Sequence, residues 1–157
     1  MNIKTQINES VIDAMKSGDE VRKRTLRMVL AAIKQTEVDQ RSNPADKRTD
    51  VDDMAVIGLI QKEVKNRREA IEDAKKAERP DLIEENKAEI KVLEVFLPKA
   101  MPDDELKEIV QAAITETGAA SMADMGKVMK IVMGKVAGRA PNDKISSFVR
   151  ELLQKIG

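Results

Sequence analysis

Cysteine, histidine, tryptophan and tyrosine are absent from this chain, and phenylalanine occurs only twice in 157 residues. Without cysteine there is no thiol nucleophile, no thiolate zinc site and no disulfide. Without histidine there is no imidazole to move protons near neutral pH. Any chemistry would have to rest on carboxylates, lysine, serine or threonine. The scarcity of aromatics removes the stacking platforms that single-stranded nucleic acids require. No apolar run approaches the roughly 18 residues that suggest a membrane span. The start, Met1-Asn2-Ile3-Lys4, lacks the apolar core of a secretory leader. On these two absences the chain is expected in the cytoplasm and away from membranes.

Charge of neither sign prevails: 28 basic residues balance 28 acidic ones. A nucleic-acid site would therefore have to be a local patch and not a property of the whole surface. What is abundant is alanine, glutamate, lysine, leucine, methionine and isoleucine, with few glycines, a composition that reads as all-α. Apolar residues recur with helical period over 2–16, 20–39, from Thr49 or Asp50 to position 79, and over 81–97. Position 41 opens a polar loop that reaches position 48. Pro98 and Pro102 bracket a segment that regular helix cannot occupy. That segment divides the chain into an N-terminal four-helix bundle-like domain, 1–98, and a small three-helix C-terminal tail domain, 99–157. In the tail, helices are expected at 103–117, across the stretch 121–138 and at 142–156.

Several polar residues fall on apolar faces. The third helix has an arc of Val56, Leu59, Ile60, Val64, Ile71 and Ala74, and Glu63 and Arg67 interrupt it at ion-pair spacing. Glu37 extends the line Leu26, Leu30, Ile33. Asn86 and Glu89 lie near the inward side of the fourth helix. These five residues read as a buried polar network that fixes helix register, with a catalytic or ligand-binding role as the alternative. Bundles with inward glutamates also hold paired metals, but those sites use Glu-x-x-His. No metal and no cofactor is expected here.

The stretch 121–140 carries the most information. Ser121 and Asp124 have the spacing of a capping box, Ser121 accepting from the Asp124 N–H, and Gly138 suits a helix end. Met125, Val128, Met129, Val132 and Val136 form one apolar stripe. Gly126, Lys127, Lys130 and Gly134 share the other side. Each interior glycine costs a helix about 1 kcal/mol relative to alanine, so something must offset it. The ordinary explanation is close packing of another helix in the same domain. The functional one is close approach of a partner's backbone, with the lysines meeting its charge.

Short blocks along the chain resemble the YqeY-like family: Leu26-Arg27-Met28-Val29-Leu30-Ala31-Ala32-Ile33-Lys34, Glu63-Val64-Lys65-Asn66-Arg67-Arg68-Glu69-Ala70-Ile71, Arg79-Pro80-Asp81-Leu82 and Leu93-Glu94-Val95-Phe96-Leu97-Pro98. Asp124-Met125-Gly126-Lys127-Val128-Met129 and Gly138-Arg139-Ala140 complete the set. Their order and spacing cover nearly the whole chain. Two positions depart from the family pattern: Pro141, where an acidic residue is frequent, and Asn86, where glutamate is.

The resemblance implies a helical bundle followed by a tail of the kind also found in the aspartyl/glutamyl-tRNA amidotransferase, where the similar tail helps hold the tRNA body. The chemistry of that enzyme sits in a larger cradle that this chain is too short to contain. The expected role is a tRNA-binding or tRNA-associated accessory protein that is not catalytic alone. Lys127, Lys130, Lys135 and Arg139 would meet phosphates, with Gly126, Gly134 and Gly138 permitting approach. The alternatives are a component of glutamine-dependent amidation of aminoacyl-tRNA, with an amidotransferase-like or synthetase-like partner, and a helical protein–protein adaptor using exposed faces such as the one holding Ile131.

Overall fold

The computed structural model describes residues 2–44 and 51–156, and every regular element among them is helical. Seven α-helices run in order: α1 Ile3–Ser17, α2 Glu20–Ser42, α3 Asp53–Lys76, α4 Pro80–Glu94, α5 Asp103–Thr117, α6 Met125–Val136 and α7 Asn142–Ile156. One 3₁₀ turn, Met122–Asp124, precedes α6. They fall into two compact units, Met1–Leu97 and Pro98–Gly157.

In the first unit the helix ends follow from local chemistry. The Asn2 side chain accepts from the Thr5 N–H at 2.8 Å and starts α1, and Gly18, left-handed at φ 76°, ends it. Asp19 caps α2 by accepting from the Arg22 N–H. That helix continues three residues beyond the expected Asp39, so Arg41 and Ser42 are helical and not loop. The rest of the expected loop, from position 45, lies outside the described residues. So do Thr49 and Asp50, the expected start of the third helix. The cap of α3 is Asp52, which accepts from the Ala55 N–H at 2.8 Å. At its other end α3 stops at Lys76, short of the expected Arg79. Glu78 turns left-handed at φ 55°, and the Arg79 N–H bonds back to the Ala74 carbonyl. Pro80 takes the first position of α4, where its missing N–H costs nothing.

Ile7, Leu26, Val29, Ile33, Val56, Ile60, Val64 and Leu93 are among the residues that close this unit's core. They lie at helical intervals on α1 to α4, so each helix turns one apolar stripe toward the others.

The second unit has its own core, built from Leu106, Val110, Ala113 and Ile114 of α5, Val128, Val132 and Val136 of α6, and Ile145, Val149 and Leu153 of α7. Gly118 ends α5 in the left-handed conformation. Near the end of α7 Ile156 is exposed and Leu153 is buried. The carbonyl of Pro141 accepts from the Ile145 N–H at 3.1 Å, so the proline begins α7 without an acidic cap.

Candidate nucleic-acid interface

The start of α6 differs from the expected capping box. Ser121 Oγ accepts from the Ala123 N–H at 3.3 Å, and Asp124 reaches back to the Ala120 N–H at 3.1 Å. This tighter turn is 3₁₀, and α6 begins directly after it. The helix ends at Ala137, left-handed at φ 51°, with Gly138 following at φ 80°. The sequence pointed to Gly138 alone as the terminating residue.

Three valines, Val128, Val132 and Val136, hold α6 in the tail core, and Met125, Met129 and Ile131 pack beside them. Ile131 is therefore partly buried against the tail core, and the face that holds it is only partly exposed. Gly126, Lys127, Lys130 and Gly134 are all exposed and fall within an arc of about 100° on the helix. A Cβ added at Gly126 or Gly134 would meet no atom within 4 Å. Close packing within the domain therefore does not explain these glycines, contrary to the ordinary expectation. Their helix cost, about 1 kcal/mol at an interior position, is not offset by any described neighbour in the tail.

The four cations divide into two kinds. Lys127 and Lys130 have no carboxylate partner among the described residues. Lys135 pairs with Glu116 at 3.3 Å. Arg139 donates from Nε to the Lys99 carbonyl at 3.1 Å and from Nη1 to Glu105 at 3.2 Å, while its own carbonyl accepts from the Met101 N–H. Arg139 thus ties the start of the tail to the turn after α6. The structure brings Lys127 and Lys130 together with the two glycines and leaves Lys135 and Arg139 engaged elsewhere. Exposed pairs such as Lys135–Glu116 are weak enough to exchange partners.

In the first unit Arg67 is buried, and it donates from Nη1 to Glu63 at 2.6 Å and from Nε to Glu89 at 2.9 Å. Glu89 also accepts from Arg24 at 3.0 Å, and Arg24 reaches Glu85 at 3.3 Å. Nothing in the sequence position of Arg24 marks it: periodicity along α2 says nothing about a partner on α4. Asn86 bonds within its own helix, donating to the Leu82 carbonyl at 2.8 Å. Glu37 is apart from this group. Its carboxylate accepts from Lys4 at 2.6 Å. That bond holds its pKa below the ordinary glutamate range, burial working against it and the charges of Lys4 and Arg41 helping. Every charge here is matched by a partner, which is the arrangement of a structural network.

A family model described as a Yqey-like protein matches residues 4–153. The chain belongs to this family. An uncharacterized protein of Schizosaccharomyces pombe is 35% identical over 98 residues, 62% of this chain and 74% of the relative. The protein named Altered inheritance of mitochondria protein 41, mitochondrial, of Pyrenophora tritici-repentis is 30% identical over 148 residues, 92% of this chain and 75% of the relative. The protein of the same name in Kluyveromyces lactis is 32% identical over 108 residues, 67% of this chain and 55% of the relative. The last two relatives are named as mitochondrial, which overturns the cytoplasmic expectation. That expectation rests on the absence of an apolar leader, and mitochondrial transit segments are amphipathic instead.

Proposed function

We propose that this protein is an accessory factor that holds folded tRNA by its phosphates along the open face of α6, with no reaction of its own. The observation that carries the reading is the open space over Gly126 and Gly134, beside two lysines unpaired among the described residues. A helix bare on one side lets a phosphate backbone come close, and lysine supplies charge without reading bases. Recognition of this kind follows the shape of a folded RNA and needs no aromatic platform. The resemblance of the tail to a tRNA-holding domain supports the same reading. The names of the fungal relatives direct such an accessory role toward mitochondria.

The test is tRNA binding by the whole protein across a salt series. Weak binding without sequence preference is expected. Replacing Lys127 and Lys130 by alanine should weaken it and flatten the dependence of log K on log salt by roughly one unit for each lost contact, or slightly less. No binding by the parent at low salt would reject the proposal. The adaptor reading would then take its place, since Met122 and Met133 are exposed close to the same face.

A further inference from the structure

A half-open cavity of about 250 Å³ lies between α1 and α2, remote in sequence from the glycine face of the tail. Lys4 and Asn8 line it from α1, and Lys34, Glu37 and Arg41 line it from α2. Leu30 and Val38 supply an apolar wall. Glu37 is already engaged, accepting from Lys4 at 2.6 Å, with the charge of Arg41 also acting on it. Lys34 and Arg41 are exposed and have no hydrogen-bonded partner among the described residues. They stand two helical turns apart on one side of α2, with Val38 between them. Among the described lining residues, three cations face one carboxylate, an excess of two positive charges in a chain whose net charge is zero. Asn8 donates from Nδ2 to the Lys4 carbonyl at 3.1 Å, leaving its side-chain oxygen as an acceptor.

We propose that this cavity binds a small phosphate monoester, its phosphate between Lys34 and Arg41 and its organic body on Leu30 and Val38. A phosphate monoester carries about −1.5 to −2 charges at neutral pH, which matches the excess positive charge. A guanidinium suits phosphate oxygens because its donors form a planar fork. The cavity is smaller than the roughly 300–1,000 Å³ of drug-sized sites, which suits a ligand body about the size of a single ring. The apolar wall distinguishes an ester from inorganic phosphate, which has nothing to place there.

The experiment is a titration of the ¹⁵N-labelled full chain with phenyl phosphate and, separately, with inorganic phosphate. Phenyl phosphate should shift the amides around Lys34, Val38 and Arg41 saturably and bind about tenfold more tightly than inorganic phosphate, the ring adding about 1–2 kcal/mol of apolar contact. Lys34→Ala with Arg41→Ala should reduce that affinity at least about tenfold at an unchanged melting temperature. Val38→Asp is a second probe at an exposed position and should also abolish binding, by repulsion and loss of the wall. Lys127→Ala with Lys130→Ala should leave phenyl phosphate binding intact, which separates this site from the tRNA proposal. Absence of saturable shifts, equal affinity for the two probes, or binding that survives Lys34→Ala with Arg41→Ala would each overturn the inference.

Discussion

Arg67 on α3 meets Glu89 on α4 at 2.9 Å, with the arginine side chain only 7% exposed and the glutamate 12%. The same guanidinium holds Glu63 one turn back on its own helix. Arg67→Ala would leave the partly buried carboxylates of Glu63 and Glu89 without that cation, Glu89 keeping only its contact with Arg24. The expected loss is about 3–5 kcal/mol of unfolding free energy, measured by denaturant titration. Adding Glu63→Gln and Glu89→Gln to that variant should recover part of the loss, because the uncompensated charge is then removed. If Arg67→Ala unfolds like the parent, the pair contributes nothing to stability.

The Lys4–Glu37 bond makes stability depend on acid. Its hydrogen bond holds the folded carboxyl below the ordinary value of 4.5. The unfolded chain therefore takes up the proton first as pH falls. The stability that Glu37 contributes is fully present above the ordinary value and is lost as pH drops through the lowered folded one. The melting temperature of the parent should exceed that of Glu37→Gln by a constant margin at neutral pH. The margin should close in acid. A margin unchanged down to strongly acidic pH would contradict this linkage.

Gly134 lies inside α6 facing open space, so alanine there adds helix propensity and no clash. Gly134→Ala should stabilise the protein by up to about 1 kcal/mol. Gly126, in the first turn, should respond less. Gly134→Val should fold normally while weakening tRNA binding, because the branched side chain fills the face without altering any charge. Loss of structure on Gly134→Val would return the glycines to an internal packing role.

Ala137 adopts a left-handed conformation at φ 51°. A residue with a Cβ is held there at a cost of about 1–2 kcal/mol. Ala137→Gly relieves the strain but gives the unfolded chain more freedom. A net gain of up to about 1 kcal/mol is expected in thermal or denaturant unfolding. A destabilised variant would mean that the turn after α6 is not under strain.

Helix positions were legible where an end is marked by a residue with a special role. Pro102 and Gly118 flank α5, and its observed limits, Asp103–Thr117, are those read from sequence. The end of α3 was not legible, because Glu78 takes the left-handed position that glycine usually marks. The sequence offered both Ser121 and Asp124 as capping residues and could not distinguish a 3₁₀ turn from the first turn of α6. Periodicity placed Glu63, Arg67 and Glu89 on inward faces, yet the cross-helix reach of Arg24 and Lys4 depends on which helices are neighbours. The glycine face shows the limit most clearly. A tightly packed glycine and an exposed one have the same spacing, and only the empty space around Gly126 and Gly134 separates them.

The two apolar cores have no residue in common: one draws on residues between Ile7 and Leu93, the other on residues between Met101 and Leu153. Substitutions that exchange volume inside one core need compensation only inside that core. Across related lineages, paired changes should therefore accumulate within each core. A descendant gene could part with the tail, or acquire it, while the remaining core keeps the contacts among its own buried residues.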